Sequence, residues 1–263
     1  MMGATMTGFG IDVAGGPAGA FVAVALGAEF GKMVSKETKV DILVTPAVTL
    51  IMGGIGAKLI GPAIGWCMLK LGDLIMTATE WQPFLFGIVI SVVVGLALTA
   101  PISSAALCIM LDLSGLAAGA ATVGCCAQMV GFAVASYKEN GVGGLVAQGL
   151  GTSMLQISNI IKNPWILLPA TLAGAIVGPI STCLLKMTNI PVGAGMGTSG
   201  LVGPIGVITG WAQMPEGYTT GAFDWVGMIL ICFVLPLLIT WVIGKIFRAK
   251  GIIKPGDLKI DLG

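Results

Sequence analysis

The sequence predicts an all-α, polytopic membrane protein with broken or re-entrant helices and an internal repeat. Three observations predict it. Hydrophobic residues make up 56% and charged residues 10% of the 263 positions, with a mean hydropathy of +1.00, whereas soluble domains carry about 25% charged residues. Forty-one glycines and thirteen prolines suit closely packed, interrupted helices, because small residues let backbones approach and cavities shelter irregular backbone. The third observation is an echo. Pro46-Ala47, Gly61-Pro62 and Cys67-Met68-Leu69-Lys70 return as Pro169-Ala170, Gly178-Pro179 and Cys183-Leu184-Leu185-Lys186, the first copy holding six more residues between its first two pairs and one more before its cysteine. The chain then reads as one integral membrane domain, 1–263, with repeat units at 11–75 and 141–190. Duplicated membrane units enclose substrate sites where they meet.

Windows of about 20 apolar residues place the spans. Residues 11–31 form a small-residue helix containing Glu29, and Lys32, Lys36 and Lys39 follow as a cytoplasmic signal. Glu29 and Asp41 flank that lysine loop as caps or charge partners. Residues 41–72 are too long for one straight span at about 1.5 Å per residue, and Gly53, Gly54 and Gly56 offer a break. A discontinuous or strongly tilted element is expected there. Gly72 to Pro83 carries Asp73 and Glu80 without a positive charge, which suits the outer side. Pro83 opens a span to Ala100. Pro101 starts another helix, interrupted around Asp112 and Ser114, and Gly115 to Tyr137 makes a further span.

Gly141 to Ile161 is less apolar and is expected to lie at the interface, dip and return, or cross. Pro164 to Met187 reads as a span. Gly193 to Pro204 holds too many helix-breaking residues for a regular helix, so it reads as a loop dipping into protein, or as a tight small-residue crossing. The last span, Asp224 to Gly244, ends in Lys245, Arg248, Lys250, Lys254 and Lys259. Residues 245–263 are therefore expected to be a cytoplasmic tail.

Several function classes drop out. The net charge is +1 and no basic face interleaved with aromatics is present, which excludes nucleic acid as a partner. Met1 to Gly10 lacks the basic region of a cleavable signal peptide. All six cysteines, Cys67, Cys108, Cys125, Cys126, Cys183 and Cys232, lie in apolar runs and the chain has no histidine. They read as helix-packing residues, with no metal site and no cofactor expected. Without histidine there is no Ser-His-Asp or Cys-His-Asp constellation, and no paired intramembrane acids stand out, so no catalytic residues are assigned.

Polar side chains at a helix centre cost about 2.5–3.5 kcal/mol on insertion scales, so they face a cavity or a partner. Asp112, Gln128, Gln148, Gln156 and Asn159 are the cases here, mostly amides. A sugar is recognised by many neutral donors and acceptors, which such a set supplies, whereas an ion pump concentrates carboxylates. Interhelical hydrogen bonds that only hold the bundle together are the competing reading. Backbone amides of the 193–204 loop, with Thr198 and Ser199, add polar groups of the same kind.

Four stretches are distinctive: Gly115–Phe132, Lys138–Gly144, Gly149–Met154 and Gly195–Leu201. They resemble the enzyme IIC-like permeases of the phosphotransferase system, in the branch that includes perfringolysin O regulator-like proteins, over most of residues 40–245. The resemblance implies a polytopic, homodimeric sugar permease of the bacterial inner membrane, surrounded by lipid and served by separate soluble phosphotransfer subunits. The candidate solute-binding residues are then Gln82, Asp112, Gln128, Glu139, Gln148, Asn159, Thr198 and Ser199. Glu139 is expected near the cytoplasmic face, as a contact for the phosphotransfer partner. Thr79-Glu80-Trp81-Gln82-Pro83 is a distorted relative of a Gly-Ile-Thr-Glu-Pro motif, and the functional histidine that accompanies that motif is missing. Alternatives to phosphorylation-coupled uptake are a sensor or regulator that kept the fold without transport, and a facilitative channel or secondary transporter for a small organic solute.

Overall fold

The structure is a computed structural model that describes residues 16–37, 39–212 and 220–260, the side chains of 16–18 excepted. The absence of a signal peptide at residues 1–10 and the first turn of the span expected from residue 11 lie outside the described residues. Among the described residues the chain is helical, with no strand beyond one isolated antiparallel bridge between Gly115 and Asn189. Four helical stretches among the described residues are long and apolar enough to cross a membrane: Asp41–Trp81, Gly115–Ala135, Pro164–Leu184 and Ala222–Ala249. The chain is thus an all-α polytopic membrane protein. It divides into two compact units, residues 1–73 with 109–111, and residues 74–108 with 112–263.

In the first unit, helix α1 (Gly16–Val34) is followed by α2 (Asp41–Trp81), whose residues 74–81 belong to the second unit. Asp41 caps the start of α2, accepting from the Lys36 amide at 2.9 Å and the Thr45 hydroxyl at 2.6 Å. The expected break at Gly53, Gly54 and Gly56 does not occur. These residues lie inside the unbroken 41-residue helix, which also contains Pro46 and Pro62. A glycine inside a helix costs about 1 kcal/mol. Opening the helix in lipid would leave several backbone groups unpaired at several kcal/mol each. Continuity therefore wins, and the glycines serve packing instead: a Cβ on Gly27 would lie 2.6 Å from the Thr49 carbonyl oxygen and 3.3 Å from the Gly53 Cα.

The second unit contains α3 (Pro83–Thr99), α4 (Ser104–Met110), α5 (Gly115–Ala135), α6 (Tyr137–Val146), α7 (Ile157–Lys162), α8 (Leu168–Pro179), the single turn α9 (Pro191–Ala194), α10 (Val202–Ala212), α11 (Ala222–Ile229) and α12 (Leu235–Ala249). Helix α5 is its axis. Every residue from Ala117 to Ala133 is buried, and α3, α8 and α12 pack around it. Its small residues permit this. The Gly95 position on α3 is so close that a Cβ there would meet the Gly124 carbonyl oxygen at 2.8 Å. The apolar core joins Val123, Cys126 and Ala127 of α5 to Ala173 and Val177 of α8, Val207 and Trp211 of α10, and Ile231 and Cys232. Four cysteines are buried in helices, whereas Cys67 and Cys183 are exposed.

Three π-helical turns interrupt this unit, at Ala147–Gly151, Ile180–Leu184 and Leu230–Val234. The last has a local cause. Pro236 has no N–H for the Cys232 carbonyl and its ring crowds that carbonyl, so the preceding turn widens. The first echoed stretch lies within α2, and the second runs through α8 and its following π turn to end beyond it at Leu185 and Lys186.

Candidate functional site

Two pentapeptides of the form Gly-x-Gly-Thr-Ser occur in the chain, Gly149-Leu150-Gly151-Thr152-Ser153 and Gly195-Met196-Gly197-Thr198-Ser199. Both interrupt helices. The first ends the π turn Ala147–Gly151 and becomes extended at Thr152 before a 3-10 turn, Ser153–Gln156. The second leaves α9 and turns through Gly197 at φ +53° and Gly200 at φ +51° before α10. That left-handed backbone suits glycine alone at low cost. The expected dipping loop at 193–204 and the irregular 141–161 segment are thus the same kind of element, and they touch. The buried Thr198 hydroxyl donates to the Gly149 carbonyl at 2.5 Å, with the Met129 sulfur 3.6 Å away.

A polar chain runs from the first pentapeptide into the bundle. The Ser153 and Thr99 hydroxyls are 2.9 Å apart. Thr99 donates to Gln128 Oε1 at 3.3 Å, so the proton between the two hydroxyls is that of Ser153. Gln128 Nε2 donates to Thr171 Oγ1 at 3.0 Å, and Thr171 donates to the Leu167 carbonyl at 2.9 Å. Ser153, Thr99 and Gln128 are buried. None of the chain's members is ionisable, and a buried polar network fully paired in this way is rigid. Beside it, Ser199 is half-buried and its hydroxyl makes no hydrogen bond to the described residues, while a Cβ on Gly151 would meet nothing within 4 Å. The paired loops therefore present hydroxyl and backbone groups without charge.

Of the residues expected to bind solute, Gln128, Thr198 and Ser199 belong to this arrangement. Gln148 and Asn159 belong to another. Gln148 Nε2 donates to Ser136 Oγ at 2.7 Å and to the Gly144 carbonyl at 3.1 Å, and its Oε1 accepts from Gln156 at 2.9 Å. Gln156 also donates to the Leu258 carbonyl at 3.0 Å. Asn159 donates to Gln156 Oε1 and to the Lys259 carbonyl, both at 2.8 Å. Every amide proton in this ladder is used, and two of them hold residues 258–259 of the C-terminal segment. Glu139 grips the same region through Arg248, with contacts of 2.7 and 3.0 Å, and Arg248 also donates to the Ala135 carbonyl at 2.8 Å. Gln82 is exposed at the start of α3 without a side-chain cap bond, and Asp112 is exposed at φ +48° in the turn before α5. No hydrogen bond ties these two side chains to either group.

Two features escaped the sequence reading. Asn189 is buried, donates to Thr122 Oγ1 at 2.6 Å and the Gly203 carbonyl at 3.1 Å, and accepts from the Ile190 amide at 2.7 Å. It fixes the flanks of the second pentapeptide. An asparagine just ahead of Pro191 in an apolar stretch was its signal. The other is the pairing of the pentapeptides, which the literal identity of their Gly-x-Gly-Thr-Ser pattern announces.

No curated protein and no solved structure matches the chain. A family model described as phosphotransferase system, EIIC matches residues 1–260. With nearly the whole sequence matched, the chain belongs to the phosphotransferase system EIIC family, the permease-type membrane components of sugar transport.

Proposed function

We propose that this chain translocates a sugar past the two Gly-x-Gly-Thr-Ser loops. The observation that carries the reading is their contact, Thr198 on the Gly149 carbonyl, because it closes two broken segments with a single hydrogen bond. A neutral polyhydroxylated solute exchanges hydrogen bonds with such a site without having to match a charge. Ser199, Thr152 and the open backbone around Gly151 and Gly200 bind it, Gln128 holds Ser153 through Thr99, and parting of the loops alternates access. The 147–156 and 195–201 segments move and the α3–α5–α8 framework stays fixed. Gln148 and Asn159 act indirectly, by positioning the first loop.

Separate phosphotransfer subunits phosphorylate the sugar at the cytoplasmic face, to which the lysine-rich C-terminal run assigns residues 245–263. The working unit is a homodimer in the bacterial inner membrane. The absence of any ionisable group from the Ser153–Leu167 chain favours this coupling over proton-driven transport. The test is uptake of a panel of labelled sugars into vesicles containing the full chain, with and without phosphotransfer subunits. Uptake of at least one sugar, reduced in Ser199→Ala, is expected. No uptake of any sugar overturns the permease reading, and uptake indifferent to the subunits overturns the coupling.

A further inference from the structure

A cavity of about 360 Å³ lies between the end of α5, α6 and the length of α12 from Leu237 to Arg248. Its two ends differ in chemistry. Its lining combines aliphatic Val134, Leu145 and Leu237 with cationic Lys138, Lys245 and Arg248, and along α12 Leu237 precedes Lys245 by about two turns. A second cavity of about 350 Å³ shares Lys138 and Arg248 and continues against Glu139, Ile253 and Pro255. The charges do not cancel. Glu139 is consumed by its two-pronged pair with Arg248, and among the described residues neither Lys138 nor Lys245 has a carboxylate within ion-pair distance. Two ammonium groups therefore stand uncompensated at the rim.

Aromatic residues mark the level at which this happens. Trp241 and Tyr137 line the cavity, both about half exposed, and Lys245 Nζ sits 3.5 Å above the Trp241 ring. Tryptophan and tyrosine beside lysine at the end of a crossing helix define the headgroup level of a bilayer. On the stretch of chain that precedes Trp241, Val234, Leu237 and Leu238 are exposed, as lipid-facing residues are. A groove that is apolar toward the bilayer centre and cationic at the headgroup level fits an amphiphile with an anionic head. It does not suit a sugar, whose hydroxyls would meet aliphatic walls. Nor does it suit a soluble protein, which does not reach the apolar wall.

We propose that this cavity is a binding site for an anionic phospholipid, its phosphate between Lys138 and Lys245 and its first acyl carbons against Val134, Leu145 and Leu237. Each lysine near the surface strengthens attraction to anionic lipid. Because α12 carries Arg248, and Arg248 holds Glu139, an occupied site braces the junction on which the 136–163 segment rests.

The test uses the full chain purified in mild detergent and returned to phosphatidylglycerol or phosphatidylcholine nanodiscs. Retained lipid is counted by native mass spectrometry after graded delipidation. Phosphatidylglycerol is expected to outlast phosphatidylcholine, and Lys138→Gln/Lys245→Gln to weaken its retention about tenfold while Lys186→Gln, which lines neither cavity, leaves it unchanged. Circular dichroism and size exclusion establish that the double variant is folded. Equal retention of the two lipids, or unaltered retention in the folded double variant, overturns the proposal. So does displacement of phosphatidylglycerol by inorganic phosphate at matched ionic strength, which would reveal a plain phosphate site. The readout needs no sugar, so it fails or succeeds independently of the transport reading.

Discussion

Thr198 has one proton, and it goes to the Gly149 carbonyl at 2.5 Å. Thr198→Val keeps the shape and removes the donor, leaving a carbonyl between the two loops unpaired at a cost of about 1–3 kcal/mol. The expected result is a lower thermal midpoint and weaker sugar uptake, both restored by Thr198→Ser; a variant with unchanged uptake and midpoint would remove Thr198 from the closing contact. At this scale the sequence was informative about which side chains turn inward and poor about whom they meet. Gln148, Gln156 and Asn159 read correctly as polar groups needing partners. Those partners include backbone carbonyls of Leu258 and Lys259, some hundred positions later, which no local window can see.

Among the elements, α5 depends on side-chain absence. A Cβ at Gly124 would collide with the backbone of Ser91 on α3, a neighbour that cannot swing aside as a flexible side chain would. Gly124→Ala is accordingly expected to lower stability by about 1–3 kcal/mol, seen as an earlier thermal midpoint in detergent, whereas Gly244→Ala, where nothing lies within 4 Å, should have little effect. Helix boundaries such as Pro83 and Gly115 were legible because proline and turn residues mark them. The fate of Gly53, Gly54 and Gly56 was not. Glycine inside an apolar run signals a break or a close approach with equal force, and only the neighbouring helix decides which.

For the second unit as a whole, residues 250–260 are a fastening. Ile253 and Leu258 are buried with Phe132, Ile166 and Ala170. Asn140 both donates to the Leu258 carbonyl at 2.7 Å and accepts from the Ile260 amide at 2.9 Å. Deleting the residues after Ala249 should speed hydrogen exchange and proteolysis across 136–163 more than across α5. Uniform protection in both forms would show that the segment holds itself. Asp257 adds a pH dependence. It accepts from the Lys254 amide at 2.9 Å and from Asn163 Nδ2 at 2.7 Å, and chiefly the Lys254 amide holds its carboxyl below the ordinary value of 3.8. A lowered folded-state value means the contribution is present above the unfolded-state value and is lost as pH falls through the folded one. Exchange in 136–163 should therefore be flat with pH, after correction for intrinsic rates, until below 3.8, and Asp257→Asn should abolish that acid step.

The fastening also has a consequence for the order of assembly. Residues 250–260 leave the ribosome after α1 to α12, yet they supply the carbonyls that saturate Gln156 and Asn159. While the chain is still being made, each of those amides has one of its two acceptors, Gln148 for Gln156 and Gln156 for Asn159, and lacks the other. A nascent protein inserted up to α12 would therefore hold the 136–163 segment by its local bonds alone, and its full fastening would wait on the synthesis of these few residues.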